Sequence, residues 1–236
     1  MSDCMITLAN VKKDFGGNPV FNEINLEVLD GQRIGLVGEN GSGKSTLFKL
    51  MIGLDTPTGG VITRRRNLVV GYLAQEADPR MEQHTIFEAV AQSSPELVTL
   101  SGRLSALEAQ MADPEIAAAG RMAQVLAAYS KAQERFESLG GYTLEHRVEA
   151  VLAGLGFAAA ELHQLVGVLS GGEKKLVNLA RILLQQPDVL LLDEPDNHLD
   201  LLAKAWLENY IRDYPGSVII ILSLIHISEP TRQAEI

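Results

Sequence analysis

Ile34-Gly35-Leu36-Val37-Gly38-Glu39-Asn40-Gly41-Ser42-Gly43-Lys44-Ser45-Thr46 is the stretch on which the fold turns. Arg33 to Val37 is a short apolar run that reads as a strand and stops at a glycine-rich loop. The loop follows the spacing G-x-x-x-x-G-K-[ST] from Gly38 to Ser45, and a helix is expected to start near Thr46. Each residue type has a physical reason to be there. Gly38, Gly41 and Gly43 let the backbone turn so that N–H groups, with those of Asn40 and Ser42, converge on a phosphate. The N-terminus of the following helix adds the positive end of its dipole. Lys44 supplies a charge to terminal phosphate oxygens, and the Ser45 hydroxyl can ligate Mg²⁺.

Outward from this loop the chain alternates between strands and helices. Met5 to Val11 and Ile24 to Leu29 alternate apolar and polar residues, as half-buried strands do. Asp14-Phe15-Gly16-Gly17-Asn18-Pro19 between them is turn chemistry. Leu47 to Ile52 reads as a buried helix, and Val61 to Ala74 holds further strand segments. These pieces predict a small antiparallel β subdomain beside a nucleotide-binding core. Later, Glu173 to Gln185 is a helix candidate, and Val189 to Leu192 and Val218 to Leu222 are continuous apolar runs. Such runs suit strands buried on both faces, so a doubly wound parallel core sheet is expected.

The middle has a different period. Leu97, Leu100, Leu104, Leu107 and Met111 recur at helical spacing, and so do Met122, Val125, Tyr129, Ala132, Phe136 and Leu139. Ala112-Asp113-Pro114-Glu115 separates the two sets, which predicts an inserted helical hairpin at about 95–139. Periodicity alone leaves open whether it projects or packs flat on the core.

Two further motifs carry chemistry. Asp193 and Glu194 follow the apolar run Leu190-Leu191-Leu192, a strand end suited to hold Mg²⁺ through Asp193 and to polarise water through Glu194. Leu169-Ser170-Gly171-Gly172-Glu173 opens a helix, where Ser170, Gly171 and Gly172 offer a hydroxyl and close backbone N–H groups to a phosphate. The plainer reading of the same residues is a helix cap.

Composition sets bounds. The 236 residues are 46% hydrophobic and 21% charged, ordinary for a globular domain with its own core. Cys4 is the only cysteine, which excludes an internal disulfide. No apolar run approaches the roughly 20 residues of a membrane span, so direct membrane insertion is not expected and the chain reads as cytoplasmic. A net charge of −10 argues against non-specific nucleic-acid binding. Local basic clusters such as Arg64-Arg65-Arg66 and Lys174-Lys175 read as solvated surface.

These motifs, in this order, resemble the ATP-binding-cassette family over about 5–221. The resemblance implies ATP and Mg²⁺ as ligands and an α/β P-loop NTPase cassette as the fold. It makes Leu169 to Glu173 the signature motif, and Gln75 in Gly71-Tyr72-Leu73-Ala74-Gln75-Glu76 the glutamine that senses Mg²⁺ and water. It makes Phe15 the aromatic that stacks on adenine, and Asn197-His198-Leu199-Asp200 the D-loop. Asp193-Glu194-Pro195-Asp196-Asn197-His198-Leu199-Asp200 is similar to the D-E-P-T-N-H-L-D run of ABC-F proteins, with Asp196 in place of threonine. Leu139-Gly140-Gly141-Tyr142 and Gly154-Leu155-Gly156-Phe157 also resemble the ABC-F segment that leads to the signature. ABC-F proteins are soluble and carry two cassettes in one chain, and many act on the ribosome. The resemblance therefore implies a second cassette as partner, with the ribosome and tRNA as candidate targets. Arg103, Arg121, Lys131 and Arg135 of the hairpin are outnumbered by Glu96, Glu108, Asp113, Glu115, Glu134 and Glu137, so charge alone gives no RNA footprint there.

Beyond Leu222 the resemblance stops. The family would place a switch histidine soon after Ser223, but Leu224 stands at that position and His226 is two residues late. Leu222 to Arg232 instead resembles the translation of a sequencing-library adapter, so residues 222–236 are expected to be a non-native tail. The leading reading is an ABC-F ATPase cassette, with hydrolysis belonging to the two-cassette protein and weak or no turnover in this chain. The ATP-binding subunit of a membrane transporter and a non-catalytic nucleotide-dependent interaction module remain open.

Overall fold

The computed structural model describes residues 3–73, 79–114, 116, 120–197, 199–222 and 232–235, with only the backbone path at 79, 80 and 232–235. Strands β1 (Cys4–Phe15) and β2 (Asn18–Leu29) form a long antiparallel hairpin around the turn at Gly16 and Gly17. β1 also pairs antiparallel with β4 (Gly59–Arg64), giving a small sheet in the order β2-β1-β4.

The second sheet is parallel throughout. β3 (Arg33–Val37), β5 (Val70–Leu73), β6 (Val189–Asp193), β7 (Ser217–Ile221) and β8 (Arg232–Glu235) lie in the order β5-β6-β7-β3-β8. The alternation of side chains along β6 divides the core in two. Val189 and Leu191 join Leu47, Phe48, Leu50 and Met51 of α1 (Lys44–Ile52) on one face. Leu190 and Leu192 join Val177, Leu179, Ala180 and Leu183 of α6 (Gly171–Gln185) on the other. That second face is completed by α2 (Ile86–Ala91), α5 (Leu144–Gly154) and α7 (Leu201–Arg212). The continuous apolar run at 189–192 is thus buried on both sides, as a central parallel strand requires.

The segment 59–73 supplies strands to both sheets. β4 stays with the antiparallel subdomain, whereas β5 becomes the edge of the parallel sheet. Asp188 makes the difference: its carboxylate accepts from the Val69 N–H at 2.9 Å and pairs with Arg65 at 3.2 Å, pinning the start of β5 beside β6. Arg64 has its own task. Its guanidinium donates to the Met51 and Leu50 carbonyls at 2.6 Å each, adding a cationic donor at the C-terminus of α1, where Leu50 also accepts from the Gly53 N–H. Two members of the basic run 64–66 are therefore structural rather than merely solvated.

The hairpin forms as its period predicts, from α3 (Pro95–Met111) and α4 (Met122–Ser138). Leu104, Leu107, Val125 and Ala132 bury one another in a cluster separate from the sheet. Leu97, Phe136 and Leu139 at its root join the main core. Glu96 accepts from Arg135 at 2.8 Å across the root. Beyond a root shared with the main core, the two helices thus carry a core of their own.

Candidate functional site

The phosphate-loop candidate connects β3 to α1 and is clamped from outside by β2. Gly43 has φ +95°, and a Cβ there would lie 2.4 Å from both Phe21 Cε1 and Val20 Cγ1. Only a glycine fits that approach. The buried Lys44 side chain folds back over the loop, its Nζ donating to the carbonyls of Gly38 at 2.7 Å and Glu39 at 2.9 Å. The Ser42 hydroxyl is buried with no hydrogen-bond partner among the described residues.

Ser45 and Asp193 meet across 148 residues of sequence. The Ser45 hydroxyl donates to Asp193 Oδ2 at 2.6 Å. Asp193 is the last residue of β6, and burial raises its carboxyl pKa above the ordinary aspartate range. The Ser45 hydrogen bond opposes that rise, the charge of Glu194 adds to it, and Lys44 and Lys175 pull it down. Among the described residues no group of three or more His, Cys, Asp or Glu side chains forms a metal cage. Mg²⁺ needs none, since it is commonly held by one or two protein oxygens together with phosphate oxygens and water. A hydroxyl and a carboxylate already in contact, beside a lysine and a loop of N–H groups, fit that mode. Ser45 and Asp193 are the residues that would hold the ion.

Glu194 adopts a left-handed backbone, φ +48°, uncommon for a residue with a side chain. Its N–H donates to the Ile221 carbonyl at 3.1 Å, at the end of β7. Its carboxylate Oε2 accepts from Asn197 Nδ2 at 2.8 Å, while the Asn197 N–H donates to the Glu194 carbonyl at 3.3 Å. Asn197 therefore closes the turn and aims the carboxylate. The motif reading placed Asn197 only in the D-loop; its three-residue spacing from Glu194 was the available signal.

Phe15, Asn40, Gly41, Gly43, Lys44, Ser45, Thr46, Asp193 and Glu194 line one cavity of about 500 Å³. Val20 and Ile221, which the motifs did not single out, complete its wall. Lys175 is a second omission: it lines a smaller space against Asp193, Glu194 and Asn197. Gln75, His198 and the segment 223–231, including His226, lie outside the described residues.

Ser170, Gly171 and Gly172 are not among the residues around that cavity. They open α6, where Ser170 Oγ accepts from the Glu173 N–H at 3.3 Å and Glu173 Oε2 accepts from the Ser170 N–H at 2.7 Å. This is a reciprocal capping box. Those hydrogen bonds hold the Glu173 carboxyl below the usual glutamate range. The Ser170 hydroxyl still has its own proton to donate. Asp196, which stands where the resemblance implies threonine, pairs with Lys204 of α7 at 3.6 Å, and Asp200 caps that helix by accepting from the Ala203 N–H at 2.8 Å.

Comparison with known proteins agrees with this geometry. A family profile described as ABC transporter matches residues 21–197. ABC transporter F family member 5 of Arabidopsis thaliana is 33% identical over 92% of this chain and 31% of its own length. The energy-dependent translational throttle protein EttA of Escherichia coli strain K12 is 35% identical over 86% of this chain and 35% of its own length. The chain thus spans about a third of the length of these relatives. A solved structure described as the ATP binding subunit of an ABC transporter superposes with a TM-score of 0.65 at 18% identity, covering 93% of this chain and 80% of the other. At that identity it supports the fold alone.

Proposed function

Since this chain belongs to the ABC transporter family of ATP-binding cassettes, with relatives in its F branch, we propose that it is one cassette of an ABC-F ATPase acting in translation. The observation that carries the ATP-binding part is the 2.6 Å hydrogen bond from Ser45 to Asp193, formed on the wall of the same cavity as Lys44 and Glu194. It brings the phosphate loop and the acidic strand end together, as Mg²⁺–nucleotide binding requires. Bound Mg²⁺ would neutralise charge on the phosphate oxygens. Lys44 would then leave the carbonyls of Gly38 and Glu39 for the nucleotide, and Glu194 would accept a proton from water. The translation part rests on the helical hairpin with its own core, the run Asp193 to Asp200 and the likeness to the translational throttle protein EttA.

The position of Ser170 supports the two-cassette reading. Its helix cap lies apart from the Lys44 cavity, so it would complete the site of a facing cassette and receive the same service in return. The remaining two thirds of the relatives' length is where such a cassette would be found. This chain alone is then expected to bind Mg²⁺–ATP with weak or no turnover.

The test compares this chain and a full-length protein containing it, each with and without Glu194→Gln. The full-length protein should hydrolyse ATP, and Glu194→Gln should slow it at least about 100-fold while leaving ATP binding intact. Multiple turnover by this chain alone, abolished by Glu194→Gln, would refute the two-cassette reading. Equal rates for full-length wild type and variant would favour a non-catalytic module. Co-sedimentation with ribosomes, set against capture by membranes, separates translation from a transporter role.

A further inference from the structure

We infer that Lys13 is a positioning residue for the nucleotide base, holding the Phe15 ring as a fixed platform through its ammonium. This rests on the reading that the cavity takes ATP with its base toward Phe15.

Lys13 is buried, with 7% of its surface exposed, which a lysine rarely tolerates without dedicated partners. Nζ donates to Asp55 Oδ1 at 2.7 Å and to the Thr56 carbonyl at 2.9 Å. The same nitrogen lies 4.7 Å from the centroid of the Phe15 ring, within the range of a cation–π contact. An ammonium has three protons, so two hydrogen bonds leave the third for the ring. Lys13 and Phe15 are two apart on β1, which places them on one side of the strand.

Phe15 would otherwise be a loose platform. It is 53% exposed, yet it lines the cavity together with Lys44, Ser45 and Thr46. An exposed phenylalanine samples several rotamers and must give them up when a base stacks on it. The Lys13 ammonium removes that freedom beforehand and leaves ring surface open for a flat heteroaromatic base. The anchor is also coupled to the phosphate loop. Asp55 follows the C-terminus of α1, and its N–H donates to the Lys49 carbonyl of that helix at 3.2 Å. The helix that begins at Lys44 thus ends in the loop that fixes the base platform.

The experiment is calorimetric titration of this chain with Mg²⁺–ATP and, separately, with Mg²⁺–tripolyphosphate. Tripolyphosphate has the phosphates without the base. Lys13→Met should weaken ATP binding about three- to tenfold and leave tripolyphosphate binding unchanged. Lys13→Arg, which keeps a cation over the ring, should restore ATP affinity to within about twofold. The double variant Lys13→Met/Asp55→Asn avoids leaving a carboxylate without its ion-pair partner and should repeat the ATP-selective loss if the single variant folds poorly. In a Phe15→Ala background, Lys13→Met should have no further effect on ATP. Equal weakening of both ligands, or an unchanged ratio while Phe15→Ala lowers it, would overturn the role of Lys13. If Phe15→Ala itself leaves the ratio unchanged, the base-site reading fails and the proposal falls with it.

Discussion

Replacing Gly43 with alanine should cost the fold far more than replacing Gly41, although both glycines sit in the same loop. Both have left-handed backbones, φ +95° at Gly43 and φ +85° at Gly41. An L-residue in that region costs about 1–2 kcal/mol, so this cost is common to the two sites. The surroundings differ. A Cβ at Gly43 would lie 2.4 Å from both Phe21 Cε1 and Val20 Cγ1, whereas a Cβ at Gly41 meets nothing within 4 Å. Carbon atoms prefer about 3.5–4.0 Å, so Phe21 or the loop must shift by more than about 1 Å. Phe21 is itself in the core, 6% exposed, and overpacking of this kind costs roughly 1–3 kcal/mol. The totals are about 2–5 kcal/mol for Gly43→Ala and about 1–2 kcal/mol for Gly41→Ala. Urea unfolding reads the difference directly. With a slope of about 2 kcal/mol per M, the midpoint should fall by about 1–2.5 M for Gly43→Ala and by about 0.5–1 M for Gly41→Ala. Gly41→Ala should still lose ATP affinity, because its methyl would stand where backbone and phosphate approach. Equal urea midpoints for the two variants would refute the claim that β2 presses on the loop.

Two further outcomes follow from the carboxylates. Burial raises the pKa of Asp193 in the folded state, so folding favours its protonated form, and that advantage is lost as pH rises through the raised value. Asp193→Asn should therefore gain thermal stability relative to wild type in EDTA as pH goes from about 4 to 7, while losing Mg²⁺-dependent ATP binding; a constant difference in melting temperature across that range would contradict this. In the full-length protein, Asn197→Ala should lower turnover about 10- to 100-fold at unchanged ATP affinity, because it frees the Glu194 carboxylate from its 2.8 Å donor; an unchanged rate would show that Asn197 does not aim the base.

What could be read from the sequence was what is local. The strand, glycine loop and helix around Lys44 are encoded within a short stretch, and β3 and α1 appear there as expected. The hairpin was legible because its apolar period repeats over two whole helices, but its separate core was not, since that depends on which residues pack together. β5 was harder still: its place in the parallel sheet depends on Asp188, more than a hundred residues away, holding Val69 and Arg65. Lys13 gave no signal at all, because a lysine in an alternating strand looks like solvated surface until Asp55 and Phe15 are seen around it. Ser170 offered two readings: the capping box shows the helix cap, and that cap uses the hydroxyl oxygen as acceptor while leaving its proton for the proposed phosphate contact.

The pair Asp193–Glu194 shows why two adjacent acids can serve one site. Along β6, Val189 and Leu191 face the α1 side, and Leu190 and Leu192 face the α6 side. Continuing that alternation puts Asp193 on the α1 side, where Ser45 meets it. The next residue of a regular strand would face α6, away from the phosphate loop. Glu194 escapes that assignment by leaving the strand in a left-handed conformation, anchored by Ile221 behind and Asn197 ahead. It consequently borders both the cavity with Lys44 and the smaller space beside Lys175. The strained residue is what lets one strand end deliver two carboxylates, the proposed Mg²⁺ holder and the proposed base, to the same cavity.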